Sequence, residues 1–308
     1  MHGSPTGRSD LLDALRARFE GRRPIRAGSL IVTLYGDAIA PRGGSLWLGS
    51  LNELMGLFGI EPGLVRTAMS RLVGEGWFER TRRGRNSFYR LSARGAAEFA
   101  EAGRRIYRSG EARWDGELGL LILSADDPRR RQEQRDALSR LGYGQLAPNV
   151  MIRPVGNIAG STEAEIAAAA EGVIRMHARI DTDGDAARRL ALQCWQVGDL
   201  GTAYAGLLED LGPPRRLHRA LEQIGDEQAF QVRVLLIHEY RRIVLRDPLL
   251  PPELLTPDWP GSRVRETCRA IYRATWAGSE RWLDAHAIAE NGPLPRGGSD
   301  LQERFEPA

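Results

Sequence analysis

The sequence predicts an α+β protein of several domains, in which two mixed regions are followed by an all-helical C-terminal domain. Near the N-terminus two short helices precede a basic hairpin, and in the middle of the chain apolar strands alternate with helices. Beyond them, apolar residues recur at helical spacing. We expect a helix-turn-helix domain at 26–95, a helical linker at 96–113, a central sandwich at 114–193, a helical domain at 194–288 and a disordered tail at 289–308.

Composition limits the location and chemistry of the protein. No stretch approaches the ~20 apolar residues of a membrane span, and the first residues lack the apolar core of a secretory signal. The two cysteines, Cys194 and Cys268, have no metal-ligand spacing. We therefore expect a cytoplasmic protein with free thiols and no metal site.

Charge is distributed unevenly along the chain. Residues 1–113 contain 19 arginines against 11 carboxylates, whereas residues 114–308 contain 24 basic against 29 acidic residues, and there is no lysine. A basic N-terminal third attached to a mildly acidic remainder is typical of a nucleic-acid-binding module joined to a domain of another kind.

Residues 51–75 have the pattern of two helices separated by a tight turn. The first is predicted over Leu51–Phe58 and ends at Gly59; the second begins at Pro62, where the missing N–H is not needed, and runs to about Glu75. At ~100° per residue, its apolar face contains Leu64, Val65, Ala68, Met69, Leu72 and Val73. The opposite face lacks carboxylates and carries Arg66, Thr67, Ser70 and Arg71. Such a face suits a helix in the DNA major groove, because arginine recognises guanine edges and hydroxyls contact bases or phosphates.

A basic hairpin is predicted directly after this helix. Trp77–Arg80 and Ser87–Leu91 have the pattern of strands, with Thr81–Asn86 as the tip between them. Gly84 can adopt the positive φ that a tight hairpin requires. Four side chains at the tip are placed to contact the DNA backbone or minor groove: Arg82, Arg83, Arg85 and Asn86.

An amphipathic surface helix is common, and so is a solvated basic turn. Helix, turn, helix and basic hairpin in this order are much rarer. Ser29–Ile39 adds a preceding helix, and Leu46–Leu48 adds a short strand. Together these elements predict a winged helix-turn-helix that binds double-stranded DNA.

The central region predicts the order βαββαβ, which is typical of a ferredoxin-like sandwich. Glu117–Ser124 is a nearly continuous apolar run, and Asp127 with Pro128 is a helix-start signal for a helix to about Leu141. The remaining elements are strands at Tyr143–Leu146 and Val150–Val155, a helix at Thr162–Glu171 and an alternating strand at Val173–Ile180.

Three helices are predicted in the C-terminal domain, at Asp199–Leu211, Glu227–Leu245 and Ser262–Ala285. Prolines separate them. The tail from Asn291 onward is rich in glycine, proline and charge, a composition that predicts disorder.

Four stretches resemble the PaaX family of bacterial transcriptional repressors, which is named for the control of phenylacetic acid catabolism. They are SLIVTLYGDAIAPRGGSLWLGSL, VRTAMSRLVGEGWFERTRRGRNSFYRLS, LGYGQLAPNVMIRP and AFQVRVLLIHEYRRIVLRDPLLPPELLTPDWPG, and the resemblance extends over residues 28–285. Distant blocks in one order are more specific than a single helix-turn-helix. The central block departs from the family at Met151, where a bulky residue such as tryptophan is usual.

The resemblance implies a winged helix, a ferredoxin-like central domain related to small CRISPR-associated nucleases, and a helical C-terminal domain. It implies a homodimer or larger assembly that represses aromatic-acid degradation operons. It also implies release of operator DNA when an aryl-acetyl-CoA, such as phenylacetyl-CoA, binds. We expect neither enzyme activity nor a cofactor.

A basic cluster on one predicted helix is a candidate site for this effector. His238 and Arg242 share a face with Arg241 beside it, and guanidinium groups suit the phosphates of CoA. The alternative is an ion-pair network between helices, with Glu239 or Asp247 as the partner. Four aromatic residues either line a pocket for the aryl group or belong to the core: Trp195, Tyr204, Trp276 and Trp282.

Two other functions fit the sequence. Asp126 and Asp127 follow the first central strand, where related CRISPR nucleases bind a metal ion, so a metal-dependent nuclease is one alternative. The proline after them favours a helix cap instead. A DNA-binding regulator without small-molecule control is the other. His177, on the last central strand, is interpreted as a histidine with ordinary partners rather than a ligand.

Overall fold

The computed structural model describes residues 10–22, 27–108, 114–124, 127–156, 163–180, 184–298 and 304–305. These residues contain twelve α-helices and three antiparallel sheets, and the C-terminal region is largely helical. The predicted α+β class is therefore confirmed at this level. The chain forms two compact units: the first contains residues 1–107, 206–241 and 263–306, and the second contains 108–205, 242–262 and 307–308.

The N-terminal part of the first unit contains α1 (Asp10–Glu20), α2 (Ala27–Leu34), α3 (Leu48–Gly56), α4 (Pro62–Gly74) and α5 (Ala93–Ile106). α2 continues as a π-helical turn over Tyr35–Ile39 and a 3-10 turn over Ala40–Arg42. α3 begins earlier than predicted, because Trp47 is extended at the N-cap position and Leu48, expected in a strand, is already helical.

The sheet of this part consists of β1 (Leu46–Trp47), β2 (Phe78–Arg83) and β3 (Asn86–Leu91), in the order β1-β3-β2. The hairpin tip is shorter than predicted. Arg83 pairs with Asn86 in the β2–β3 ladder, so only Gly84 and Arg85 form the turn, and Gly84 has a φ of 58°. Residues 81–83, expected in the tip, are therefore strand residues.

α4 packs its apolar face into the core through Val65, Ala68, Met69 and Leu72, all of which are buried. Leu64 was predicted on the same face, but it is 54% exposed. The buried residues centre on Val65 and Leu72, and Leu64 lies ~100° from that centre. It also lies in the first turn, so the prediction of its burial is wrong.

The second unit contains a four-stranded antiparallel sheet in the order β5-β6-β4-β7. Its elements are β4 (Glu117–Ile122), α6 (Pro128–Arg140), β5 (Gly144–Ala147), β6 (Val150–Pro154), α7 (Glu163–Ala169), β7 (Ile174–Arg179) and α8 (Gly184–Cys194). The predicted start of α6 is confirmed, since Asp127 accepts a hydrogen bond from the Arg129 N–H at 3.0 Å. Asp126 lies outside the described residues.

The core of this sheet includes Leu121, Leu138, Tyr143, Met151 and Ile166. The alternation at 173–180 predicts a strand with two different faces, yet every residue of β7 is exposed, including the apolar Ile174 and Met176. β7 is an edge strand paired only with β4 among the described strands. Alternation alone therefore predicted the strand but not its burial.

The C-terminal helices are α9 (Val197–Leu211), α10 (Pro214–Glu222), α11 (Asp226–Val244) and α12 (Pro260–His286). α8 and α10 were not predicted. Of the two cysteines, Cys268 is buried and Cys194 half-buried; both are free, and burial raises the pKa of the Cys194 thiol to about 11. Among the described helices, none has the length and apolar character needed to span a membrane.

The tail does not follow the prediction of disorder where the structure describes it. β8 (Ile288–Ala289) and β9 (Gly292–Pro293) form a short hairpin after α12. Leu294 and Phe305 are buried. Apolar residues that are sparse in the tail sequence find partners within the first unit, which composition does not reveal.

Candidate nucleic-acid interface

The outward face of α4 carries the four residues that the sequence assigns to DNA contact. Arg66, Thr67, Ser70 and Arg71 are all exposed. Their orientation follows from the burial of Val65, Ala68, Met69 and Leu72 on the opposite side of the same helix. Pro62 at the first position sets where this helix begins. The packing of one face therefore presents the other face to solvent.

The two arginines of this face differ in their surroundings. Arg66 has no ion pair or hydrogen bond with any residue that the structure describes. The Nε atom of Arg71 lies 3.5 Å from the Oε1 atom of Glu75, and both side chains are largely exposed. The end of Arg71 also lies against Gly28 of α2, where an added Cβ would be 2.8 Å from its Nη2. An exposed pair of this kind contributes about 0–1 kcal/mol, so Arg71 remains available to a ligand.

The register of the hairpin divides its basic residues between two faces. Arg80 and Arg82 lie on the face that also carries the buried Phe78 and Tyr89, because side chains alternate along a strand. Arg83 and its partner Asn86 lie on the opposite face. The sequence grouped Arg82, Arg83 and Arg85 as one cluster, whereas the strand geometry separates Arg82 from Arg83.

Arg83 has an acidic partner that its local sequence does not contain. Its Nε atom donates to the Oε1 atom of Glu290 at 2.6 Å, and Glu290 lies in the turn between β8 and β9. β8 itself is anchored by its Ile288 N–H, which donates to the Ser50 hydroxyl at 3.1 Å. The turn between β8 and β9 therefore contacts the β2–β3 hairpin.

Arg80 is a candidate that the sequence reasoning missed. It is exposed, and like Arg82 and Arg85 it has no ion pair or hydrogen bond with the described residues. Its two-residue spacing from Arg82 places both on one strand face once the strand extends to Arg83, whereas the predicted strand ended at Arg80. Three guanidinium groups of the hairpin are thus available to an anion.

The first unit also contains a buried charged cluster around Asp37, which lies in the π-helical turn that continues α2. Arg233 donates through Nε to Asp37 Oδ2 at 2.7 Å and through Nη2 to the Asp37 carbonyl at 3.1 Å. The hydroxyls of Tyr107 and Tyr272 donate to Oδ1. Burial raises the pKa of the Asp37 carboxyl, but Arg233, Arg304 and the two hydroxyls outweigh it and hold the pKa below its usual value.

The predicted effector residues of α11 have partners within the first unit. The Nδ1 atom of His238 is 2.9 Å from the Thr33 hydroxyl. Arg241 donates to the Ser29 hydroxyl at 2.9 Å and to its carbonyl at 3.0 Å. Both contacts join α11 to α2. Arg242, next in the chain, is exposed.

Glu239, considered as a partner for that cluster, instead pairs with Arg18 at 3.0 Å and with Arg22 at 2.9 Å. Asp247 accepts the hydroxyl of Tyr204 at 2.7 Å within the second unit. The alternative interpretation expected Glu239 to form an ion pair with the basic cluster of α11. Glu239 does form ion pairs, but its partners are Arg18 of α1 and Arg22, which follows that helix.

The predicted aromatic candidates have separate surroundings. Trp195, in the second unit, donates to the Gly142 carbonyl at 3.0 Å and lies so close to Gly144 that an added Cβ would be 2.5 Å from its ring. In the first unit, Trp276 lies beneath the guanidinium of Arg233 at 4.4 Å, and Trp282 stacks on His286 at 3.7 Å.

His177 lies 2.7 Å from Glu117 on the neighbouring strand, as expected of a histidine with ordinary partners. Within the described ranges, no group of three or more histidine, cysteine or carboxylate side chains is arranged to hold a metal ion.

A family model described as PaaX-like protein matches residues 26–95, and a model described as PaaX-like protein C-terminal domain matches residues 195–285. The chain is 36% identical over 286 residues to the transcriptional repressor PaaX of Escherichia coli (strain K12), covering 92% of this chain and 90% of that protein. A solved structure, the uncharacterized protein Rv0674 from Mycobacterium tuberculosis, is 27% identical, covers 75% of this chain and 90% of its own, and has a TM-score of 0.47.

Proposed function

Since the chain belongs to the PaaX family, whose E. coli relative is named a transcriptional repressor, we propose that it represses transcription by binding operator DNA through a winged helix-turn-helix. In this proposal α3 and α4 are the helix-turn-helix, and β2 and β3 are the wing. The family relationship makes it a regulator rather than an enzyme.

The exposed face of α4 is the observation that carries the proposal. Arg66, Thr67, Ser70 and Arg71 offer two guanidinium groups and two hydroxyls on one side of a helix whose other side is fixed in the core. A helix of this kind fits the major groove, where each good bidentate arginine–guanine contact contributes roughly 1–3 kcal/mol of discrimination. In the same proposal, Arg80, Arg82 and Arg85 of the wing contact phosphates, and they supply affinity for any duplex.

The central sheet supports the proposed ferredoxin-like assignment. Its elements follow the order βαββαβ, and its antiparallel strand order β5-β6-β4-β7 brings the last strand beside the first. We propose that this domain and the C-terminal helices assemble two copies, so that two α4 helices meet two half-sites of a pseudo-palindromic operator.

DNA binding is tested with duplexes that the wild type selects from a random pool, and with scrambled versions of the same length. Arg66→Ala is expected to lose roughly 1–3 kcal/mol of binding to the selected duplex and little on the scrambled one, because Arg66 reads bases. Arg130→Ala on α6, also exposed and without a described partner, is the matched control. An equal loss of binding to both duplexes would show that Arg66 contacts phosphate rather than bases. If the wild type selects no sequence from the random pool, the proposal is overturned.

We further propose that the genes controlled are for aromatic-acid catabolism and that an aryl-acetyl-CoA releases the DNA. The packing contacts of His238, Arg241 and Trp195 make alanine variants there ambiguous, since each would also remove a structural hydrogen bond. Arg242 is exposed and lies one residue from Arg241, so it is the sharper test of a phosphate anchor.

Phenylacetyl-CoA is expected to raise the melting temperature and release the selected duplex, with phenylacetate and CoA as separate controls. Arg242→Ala is expected to bind DNA normally. It is expected to need roughly tenfold more phenylacetyl-CoA for release, because one charged hydrogen bond to the effector is lost. Unchanged release places the anchor elsewhere. No response of the wild type to any acyl-CoA favours a regulator without small-molecule control.

A further inference from the structure

Phe305 fills an aromatic pocket in the first unit. Its side chain is 1% exposed, and its ring lies 5.3 Å from Tyr107, 5.4 Å from Tyr272 and 6.3 Å from Tyr240 between ring centres. Its backbone N–H donates to the Tyr107 carbonyl at 3.2 Å. The three tyrosines come from the end of α5, from α11 and from α12, so the pocket is built by elements distant from the tail.

Arg304 is held beside this pocket by the π-helical turn. Its Nη1 atom donates to the Asp37 carbonyl at 2.7 Å and to Asp37 Oδ1 at 2.9 Å, and its Nη2 atom donates to the Gly36 carbonyl at 3.2 Å. The guanidinium also lies over the Tyr107 ring, 4.1 Å from its centre. Charge, hydrogen-bond acceptors and an aromatic face therefore converge on one guanidinium.

Among the residues that the structure describes, Arg304 is one of two arginines that pair with the carboxylate of Asp37, and the other is Arg233. The Asp37 side chain is fully buried, and that of Arg304 is 14% exposed. Removal of Arg304 leaves this buried carboxylate with one cation fewer, and a buried charge that loses a partner is costly. The emptied site would therefore favour a guanidinium group next to an aromatic ring.

We propose that this pocket is a binding site for an arginine followed by an aromatic residue, and that Arg304 and Phe305 occupy it as an intramolecular ligand. A short peptide with the same two side chains is the class of molecule that the site takes when its own pair is removed. Because the pair belongs to the same chain as its site, its effective concentration in the wild type is on the order of millimolar, and a free peptide of moderate affinity is not expected to displace it.

The test uses the full chain carrying Arg304→Ala and Phe305→Ala together, with N-acetyl-Arg-Phe-amide as the probe and N-acetyl-Glu-Phe-amide as its matched control. The double variant is expected to melt several degrees below the wild type. The arginine probe is expected to raise that melting temperature progressively with concentration, and calorimetric titration is expected to find one site per chain. The wild type is expected to respond to neither probe.

Equal responses to the two probes, or no response of a folded double variant to millimolar arginine probe, would overturn the proposal. If the double variant does not fold, Phe305→Ala alone keeps the Arg304 contacts and leaves a cavity enclosed by tyrosines. Benzene is then expected to raise its melting temperature and not that of the wild type, as small apolar molecules do in enclosed apolar cavities. Absence of that rise would overturn the proposal, because no pocket for another aromatic ring would then remain.

Discussion

The exposed arginines of α4 and the buried arginines of the cluster around Asp37 belong to the same compact unit but have opposite surroundings. Arg66 is exposed and has no ion pair among the described residues, whereas Arg42 and Arg233 are fully buried and each contacts two carboxylates. The donors of a buried guanidinium are occupied by the fold, and those of an exposed one remain free for a ligand. In a chain whose basic residues are all arginine, burial rather than residue type separates the two roles.

The largest effect is expected from the buried side of this comparison. Arg233→Ala leaves Asp37 and Glu280 without their shared cation, and breaking a buried pair in this way costs about 3–5 kcal/mol. Urea unfolding followed by circular dichroism measures the loss. Arg130→Ala is the exposed control and is expected to change stability by less than about 0.5 kcal/mol. Similar stabilities for the two variants would remove the distinction between the buried and exposed arginines.

A smaller effect on the free energy of unfolding is expected within α4, where the buried Met69 is compared with the exposed Leu64. Met69→Ala empties a fully buried position and is expected to cost about 2–5 kcal/mol. Leu64→Ala removes an exposed side chain and is expected to change the free energy of unfolding by less than about 0.5 kcal/mol. The same urea experiment compares them. A large loss for Leu64→Ala would mean that a partner covers this end of the helix in solution.

The smallest effect concerns the wing, where Arg83 is paired with Glu290, whereas Arg82 has no ion pair within the part of the chain that the structure describes. Arg82→Ala is expected to lower the salt slope of duplex binding by about one unit, because one phosphate contact releases one counterion. Arg83→Ala is expected to lower it less, since Glu290 already neutralises that guanidinium. Glu290→Gln is then expected to tighten binding to every duplex, with Arg130→Ala as the unchanged reference. Equal slopes for the two arginine variants would show that DNA displaces Glu290.

Local signals account for the part of the fold that was predicted correctly. Pro62 marks the start of α4, Gly84 the turn of the hairpin and Asp127 the start of α6, and each acts on its immediate neighbours. The exposure of Arg66 likewise follows from the helical period of the residues around it. Such features depend on a few consecutive residues and can be predicted from the sequence.

The remainder depends on contacts between distant parts of the chain. Arg83 and Glu290 are 207 residues apart, and Arg304 and Asp37 are 267 apart, so no local pattern indicates either pair. The tail has the composition of a disordered segment, yet Phe305 is buried because three tyrosines on other elements form its pocket. Sequence reasoning therefore identified the exposed face of α4 and missed the contacts that the described tail residues make with distant parts of the first unit.

The π-helical turn at Tyr35–Ile39 acts as a one-residue insertion in the helix. One residue turns a helix by ~100°, so this turn sets the direction of every side chain that follows it through Arg42. Gly36 also allows Phe99 of α5 to pack against the turn, since an added Cβ would lie 2.3 Å from that ring. Deletion of Gly36 would restore ordinary helical winding and rotate Asp37 and Arg42 away from their partners together. One residue of the π-helical turn thus determines whether the side chains of Asp37 and Arg42 point toward their buried partners.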